Sequence, residues 1–239
     1  QEIIKAKEKA ESADKLKSEF LAQMSHEIRS PINTILNSVT LLREELNDAD
    51  EDIKSIFPIL DSAWVRIIKT IDSILNMSEL QLGIYEPHLK KVNIQEDLLD
   101  IICAEFKHLA EMKNLEFIYT SETDKTILIV DEYSTGQIFR NLLDNAVKYT
   151  NEGSISVKIF RSESGLLSVD VMDTGVGISK EFLPTLFTPF RQEEQGYTRK
   201  YDGNGLGLAL IKKYCEINNA EISVRSKKHF GTVFTIEFK

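Results

Sequence analysis

Apolar residues in the first third of this chain recur at spacings of three and four. Phe20, Met24, Ile28, Ile35, Val39, Leu42 and Leu46 form one stripe; Ile53, Ile56, Leu60, Trp64, Ile67, Ile71, Ile74 and Leu75 form a second that runs on to about Leu82. That period predicts two long amphipathic helices. Between them, Asn47-Asp-Ala-Asp-Glu-Asp52 is rich in capping residues, so the helices should fold back as a hairpin. One hairpin cannot bury both stripes, and a second copy would, which predicts a dimeric four-helix bundle. Pro31 lacks an amide hydrogen and crowds the carbonyl of Glu27, so a kink is expected there. Pro58 fits the first turn of a second helix that begins near Ser55.

The periodicity breaks at Gly83-Ile-Tyr-Glu-Pro87, where the domain boundary is expected. Residues 1–86 then form a helical hairpin with an N-terminal signalling helix, and residues 87–239 form a second domain. In that domain Leu89-Lys-Lys-Val-Asn93 should lead into a helix over about 94–114. Strands are expected at 115–120, 126–130, 154–160, 166–173, 221–226 and 232–238, with helices at 132–150 and about 206–218. The order lacks the regular alternation of a doubly wound sheet and predicts an α/β two-layer sandwich.

Composition narrows the function. The chain has 239 residues and a formal net charge of -9, which opposes a nucleic-acid surface, since phosphate backbones demand clustered Lys and Arg. The two cysteines, Cys103 and Cys215, have neither disulfide-framework nor zinc-ligand spacing, and both fit helical core positions. No apolar run approaches the ~20 residues that span a bilayer, so the expectation is a soluble, cytoplasmic piece. The start at Gln1 inside a helical charge pattern gives the expectation of a fragment cut from a longer parent, membrane-anchored or not.

Several residues carry chemistry. At about 100° per residue His26 sits roughly 200° from Met24 and from Ile28, so its imidazole faces water, with a free nucleophilic nitrogen and Glu27 beside it to take a proton. On the 132–150 helix, Asn141, Asn145 and Lys148 share one face, which suits a metal-bound triphosphate: an amide carbonyl can ligate Mg²⁺ and an ammonium can meet phosphate oxygens. Asp173 ends a strand on the same side as Leu167, Val169 and Val171, and Gly175 and Gly177 follow, so a buried acceptor lies beside backbone that a flat base could approach. Gly203-Asn-Gly-Leu-Gly207 opens a helix, where free amides favour phosphate.

Taken together these runs resemble the boxes of sensor histidine kinases. Phe20-Leu-Ala-Gln-Met-Ser-His-Glu-Ile-Arg-Ser-Pro-Ile-Asn33 is similar to the acceptor box, and Asn141-Leu-Leu-Asp-Asn-Ala-Val-Lys-Tyr-Thr150 to the asparagine box. Asp173-Thr-Gly-Val-Gly-Ile178 and Gly203-Asn-Gly-Leu-Gly-Leu208 resemble the two glycine boxes, with Leu186-Phe-Thr-Pro-Phe190 as the phenylalanine box between them. Thr198-Arg-Lys-Tyr-Asp-Gly203 looks like the lid of hybrid kinases. The resemblance implies a dimerisation and phosphotransfer hairpin followed by a Bergerat-type ATP-binding domain. It makes His26 the phosphoacceptor, Glu27 its general base and Asn145 the Mg²⁺ ligand. Asn141 and Lys148 would hold phosphates, and Tyr149 and Asp173 the adenosine. Gly175, Gly177, Gly205 and Gly207 would edge the lid, Gly203 and Leu206 would bind the nucleotide with them, and Arg199 or Lys200 would reach the γ-phosphate. It further implies ATP and Mg²⁺ as cofactors, a homodimer, a response-regulator receiver domain as partner, and an upstream sensor domain. Two departures stand out. Ser30 occupies the position where the family usually has Thr or Asn to orient a hydrolytic water, which predicts weak regulator phosphatase activity, and Asn204 replaces a usual Thr. The rivals are an ATPase-gated clamp, which needs no phosphoacceptor, and a pseudokinase, which needs no intact Asn145, Lys148 and Asp173.

Overall fold

The computed structural model describes residues 31, 34, 35, 37–43, 53, 55–193 and 203–239. The chain divides into two compact units, Gln1–Glu86 and Pro87–Lys239. The expected 47–52 turn lies outside the described residues, as do the positions of His26, Glu27, Ser30, Arg199 and Lys200.

In the first unit residues 37–43 are helical, and helix α1 spans Ile56–Leu82. Arg43 pairs with Asp61 and its guanidinium lies 5.2 Å from the centroid of the Phe57 ring, so the two helices are side by side as a hairpin. Pro58 falls in the first turn of α1, where its missing N–H costs no intrahelical bond, although Ser55 gives no side-chain cap. Gly83 ends the helix in the left-handed region at φ 69°, its N–H reaching back to Glu79 and Leu80 carbonyls. Much of the two apolar stripes is left to water: Ile35, Leu42, Ile56, Leu60, Ile67 and Ile74 are all exposed.

The second unit is a two-layer α/β sandwich. Its elements are β1 (Leu89–Asn93), α2 (Asp100–Met112), β2 (Glu116–Ser121), β3 (Ile127–Asp131), α3 (Glu132–Tyr149), β4 (Ser154–Arg161), β5 (Leu167–Asp173), α4 (Gly207–Ile217), β6 (Ala220–Lys227) and β7 (Gly231–Phe238). Five strands form a mixed sheet in the order β2-β4-β5-β7-β6, parallel only between β2 and β4. Alternate residues of β4, β5 and β7 (Ile155, Val157, Ile159; Val169, Val171; Phe234, Ile236, Phe238) are buried. They supply one layer of the core. Phe106, Ile138, Phe139, Leu142, Leu143, Leu210 and Ile211 supply the other from the helices.

Two expectations are refined. Leu89–Asn93 does lead into a helix at Ile94, but it is itself a strand: it pairs antiparallel with β3, Leu89 opposite Asp131 and Asn93 opposite Ile127. So short a run with two lysines carries almost no strand pattern, and its bonding partner is remote in sequence. The helix expected over 94–114 begins with a wide turn at Ile94–Leu99, whose hydrogen bonds span five residues, and α2 closes at Met112. Asn93 caps that wide turn, its side chain accepting from the N–H groups of Gln95 and Glu96. Cys103 and Cys215 are buried in α2 and α4, as their fit to helical core positions led us to expect.

Candidate active site

Helix α3 carries the polar face and is fixed at its start by Asp131. One Asp131 oxygen accepts from Ser134 N–H at 2.8 Å and the other from His88 N–H at 2.8 Å, while the Asp131 amide donates to Asn218 Oδ1 at 2.7 Å. That network ties α3 to β1 and to the end of α4. Further along α3, Phe139, Leu142, Leu143 and Ala146 are buried whereas Asn141, Asn145 and Lys148 are half-buried on the opposite side. Asn141 donates from Nδ2 to the Gln137 carbonyl at 2.8 Å, which orients its amide along the helix. Lys148 Nζ donates to the Tyr149 hydroxyl at 3.1 Å and lies 4.6 Å from the centroid of that ring.

Asp173 closes β5 on its buried face. Burial pushes its carboxyl up to about 6, partly offset by backbone N–H bonds from Gly175 and Thr232. A carboxyl so placed is an acceptor held at the edge of ionisation, with spare capacity for a donor on a ligand. Gly175 is held close to the end of α3: a β-carbon there would lie 2.4 Å from the Tyr149 carbonyl oxygen and 2.9 Å from Asp173 Oδ1. Val176 N–H also donates to the Tyr149 carbonyl, at 3.2 Å. Gly177 adopts φ +62°, and a β-carbon there would meet the Lys227 carbonyl oxygen at 2.1 Å. The first glycine run therefore lies flat against neighbouring backbone, and no larger residue fits.

The second glycine run faces α3. A β-carbon on Gly203 would lie 3.1 Å from Lys148 Nζ, and one on Gly207 would lie 3.7 Å from Asn141 Oδ1. The entrance to α4 is thereby brought against two of the three polar residues of α3, with the amides of its first turn free of intrahelical partners. Asn204 Oδ1 accepts from Leu206 N–H at 3.0 Å, a local turn that sets the start of α4. Leu206 itself is fully buried and anchors that start in the core.

The structure thus places Asn141, Lys148, Gly203 and Gly207 close together, and Tyr149, Asp173 and Gly175 beside them; Asn145 shares the face of α3. Sequence reasoning missed Thr232, which contributes an N–H to Asp173 only because β5 and β7 pair in register. It also missed Gln192, whose amide reaches the second glycine run.

Comparisons with known proteins find relatives for both units of the chain. Residues 16–83 match the model of the His Kinase A (phospho-acceptor) domain, and residues 130–239 match that of the histidine kinase-, DNA gyrase B- and HSP90-like ATPases. The chain belongs to the sensor histidine kinases. This kinase core is 35% identical over 235 residues to the autoinducer 2 sensor kinase/phosphatase LuxQ of Vibrio vulnificus (strain CMCP6), covering 96% of the core and 27% of LuxQ. It is 32% identical over 240 residues to the peroxide stress-activated histidine kinase mak2 of Schizosaccharomyces pombe, covering 96% of the core and 10% of mak2. Among solved structures, full-length ShkA in complex with AMPPNP aligns with 25% identity and a TM-score of 0.76, over 92% of the core and 45% of ShkA. The core spans about a quarter of the LuxQ relatives it matches, at 27% of their length. The ATPase match falls within its second unit.

Proposed function

We propose that the chain is an ATP-dependent histidine autokinase, with residues 1–86 as the dimerisation and phosphotransfer hairpin and residues 87–239 as the catalytic domain. The observation that carries this is the approach of the glycine-rich entrance of α4 to Asn141 and Lys148, within 3.1 Å of the Lys148 ammonium for a β-carbon on Gly203. Free amides, a helix start and a cation converge there, and such a place holds polyphosphate. Asp173 accepts the exocyclic amine of adenine, and Tyr149 lines the adenosine. Gly175, Gly177, Gly205 and Leu206 shape the backbone around the nucleotide, and Arg199 or Lys200 meets the γ-phosphate.

Asn145 fits a Mg²⁺ ion because its side-chain carbonyl is a hard oxygen donor on the phosphate face. Among the described residues no group of three or more His, Cys, Asp or Glu is placed to hold a metal alone; a metal held by Asn145 would take its remaining ligands from phosphate and water. When bound, it neutralises charge on the phosphates.

An imidazole nitrogen of His26 attacks the γ-phosphorus, the bond to the bridging oxygen breaks and ADP leaves, while Glu27 takes the proton from the other ring nitrogen. The phosphoryl group then passes to an aspartate of a receiver domain. Ser30, one turn beyond His26, positions a water that attacks the regulator's phosphoaspartate, releasing inorganic phosphate and the free aspartate in a weak phosphatase reaction. The exposed stripe of the hairpin pairs with a second copy, and an upstream sensor domain controls the pair. Among the described residues no helix is long and apolar enough to cross a membrane; we place this core in the cytoplasm, whether or not its parent is membrane-anchored. Label transfer to a purified receiver domain tests the scheme: the label should leave the kinase as it enters the regulator, and a regulator labelled equally by His26→Gln would overturn it.

A further inference from the structure

Gln192 stands two residues beyond Phe190, and its Nε2 donates to the Gly203 carbonyl at 2.7 Å. Two positions earlier the Phe190 N–H donates to the Gly205 carbonyl at 2.9 Å. The segments Phe190–Gln192 and Gly203–Gly205 are therefore tied twice, once by backbone and once by the Gln192 side chain. The glycines at the two ties are needed for different reasons. Gly205 has φ +71° and lies against the Phe190 backbone, whereas a β-carbon on Gly203 would sit 3.1 Å from Lys148 Nζ and 3.5 Å from Gln192 Nε2. Gly203 is thus held where an amide and an ammonium converge from two elements.

We infer that Gln192 is a positioning residue for the phosphate end of the nucleotide site. Its amide holds Gly203 against Lys148, so the entrance of α4 and the ammonium of α3 address the same anion. It also engages a carbonyl dipole that would otherwise be free to turn its negative end toward phosphate. Gln192 acts through Gly203 and Lys148, not on the nucleotide itself. The inference rests on the nucleotide reading proposed above, and it goes further by assigning a residue outside the glycine and asparagine boxes to phosphate discrimination.

The test is calorimetric titration of the whole chain, with Mg²⁺ present, by the non-hydrolysable triphosphate AMPPNP and by adenosine. Gln192→Met keeps the length and apolar stem of the side chain and removes the donor. It should bind AMPPNP about fivefold more weakly, the loss of one hydrogen bond, with adenosine binding unchanged. Gln192→Glu, isosteric but unable to donate and negatively charged, should lose more AMPPNP affinity and again none for adenosine; it also serves if the Met variant misfolds. A purely structural role would weaken both ligands together. Wild-type AMPPNP affinity in both variants, or equal losses for the two ligands, would overturn the inference alone. A wild-type chain that binds neither ligand would overturn the nucleotide reading, and this inference with it.

Discussion

Gly175 donates its backbone N–H to Asp173 Oδ1 at 2.9 Å, and the same glycine has no room for a β-carbon between that carboxyl and the Tyr149 carbonyl. The end of β5 and the end of α3 are locked together by this one residue. Gly175→Ala would drive a methyl group into backbone rather than into a flexible side chain. Backbone displacement of this kind costs on the order of 1–3 kcal/mol, so AMPPNP affinity should fall about tenfold or more. Wild-type affinity in Gly175→Ala would show that the two ends are not coupled through this contact.

Asp173 makes nucleotide binding depend on pH. Its carboxyl is raised by burial from 3.8 to about 6, so it is partly protonated near pH 6 and ionised above it. The carboxylate is the better acceptor for an exocyclic amine, so affinity for ATP analogues should rise between pH 5 and pH 7.5 and level off above. Asp173→Asn should bind more weakly and lose that rise. A flat profile in the wild-type chain would remove Asp173 from the adenine contact.

The same shift sets the sign of its effect on stability. Because the folded value lies above the unfolded one, the protonated form is favoured by folding. That contribution is fully present below about pH 4 and is lost as pH rises through about 6. Above that, holding the ionised group in the fold costs roughly 3 kcal/mol. Asp173→Asn should therefore gain in melting temperature, relative to wild type, as pH rises from 5 to 7.5. An advantage that shrinks over that range would contradict the assignment.

Asn145→Asp replaces a neutral oxygen donor with a charged one on the phosphate face. Autophosphorylation should slow and its Mg²⁺ dependence shift, while adenosine binding stays as in the wild type. An unchanged Mg²⁺ titration would move the metal ligand elsewhere.

Much of this molecule was legible because its patterns are local. The 3.6-residue stripe of α1, the buried alternation ending at Asp173 and the split of α3 into apolar and polar faces all follow from period alone. The α/β sandwich follows from their order. What was not legible depends on pairing across the chain. β1 gains its identity from β3, Thr232 reaches Asp173 through the β5–β7 register, and Gln192 meets Gly203 across a loop. None of those partners leaves a mark on its neighbours in sequence. The acceptor box is the reverse case: His26, Glu27 and Ser30 were read from sequence and lie outside the described residues, so solution chemistry must test them.

Glu27→Ala should slow autophosphorylation by ~10²–10⁴-fold, the usual worth of a positioned base, and leave AMPPNP binding intact. An unchanged rate would make Glu27 a bystander.

The most direct measurement is incubation with γ-labelled ATP and Mg²⁺, followed by acid and alkali treatment of the labelled protein, for the wild-type chain and His26→Gln. The account predicts label on the wild type that is lost in acid and survives base, and none on His26→Gln, with AMPPNP binding retained. Acid-labile label persisting on His26→Gln, or acid-stable label on the wild type, would contradict it.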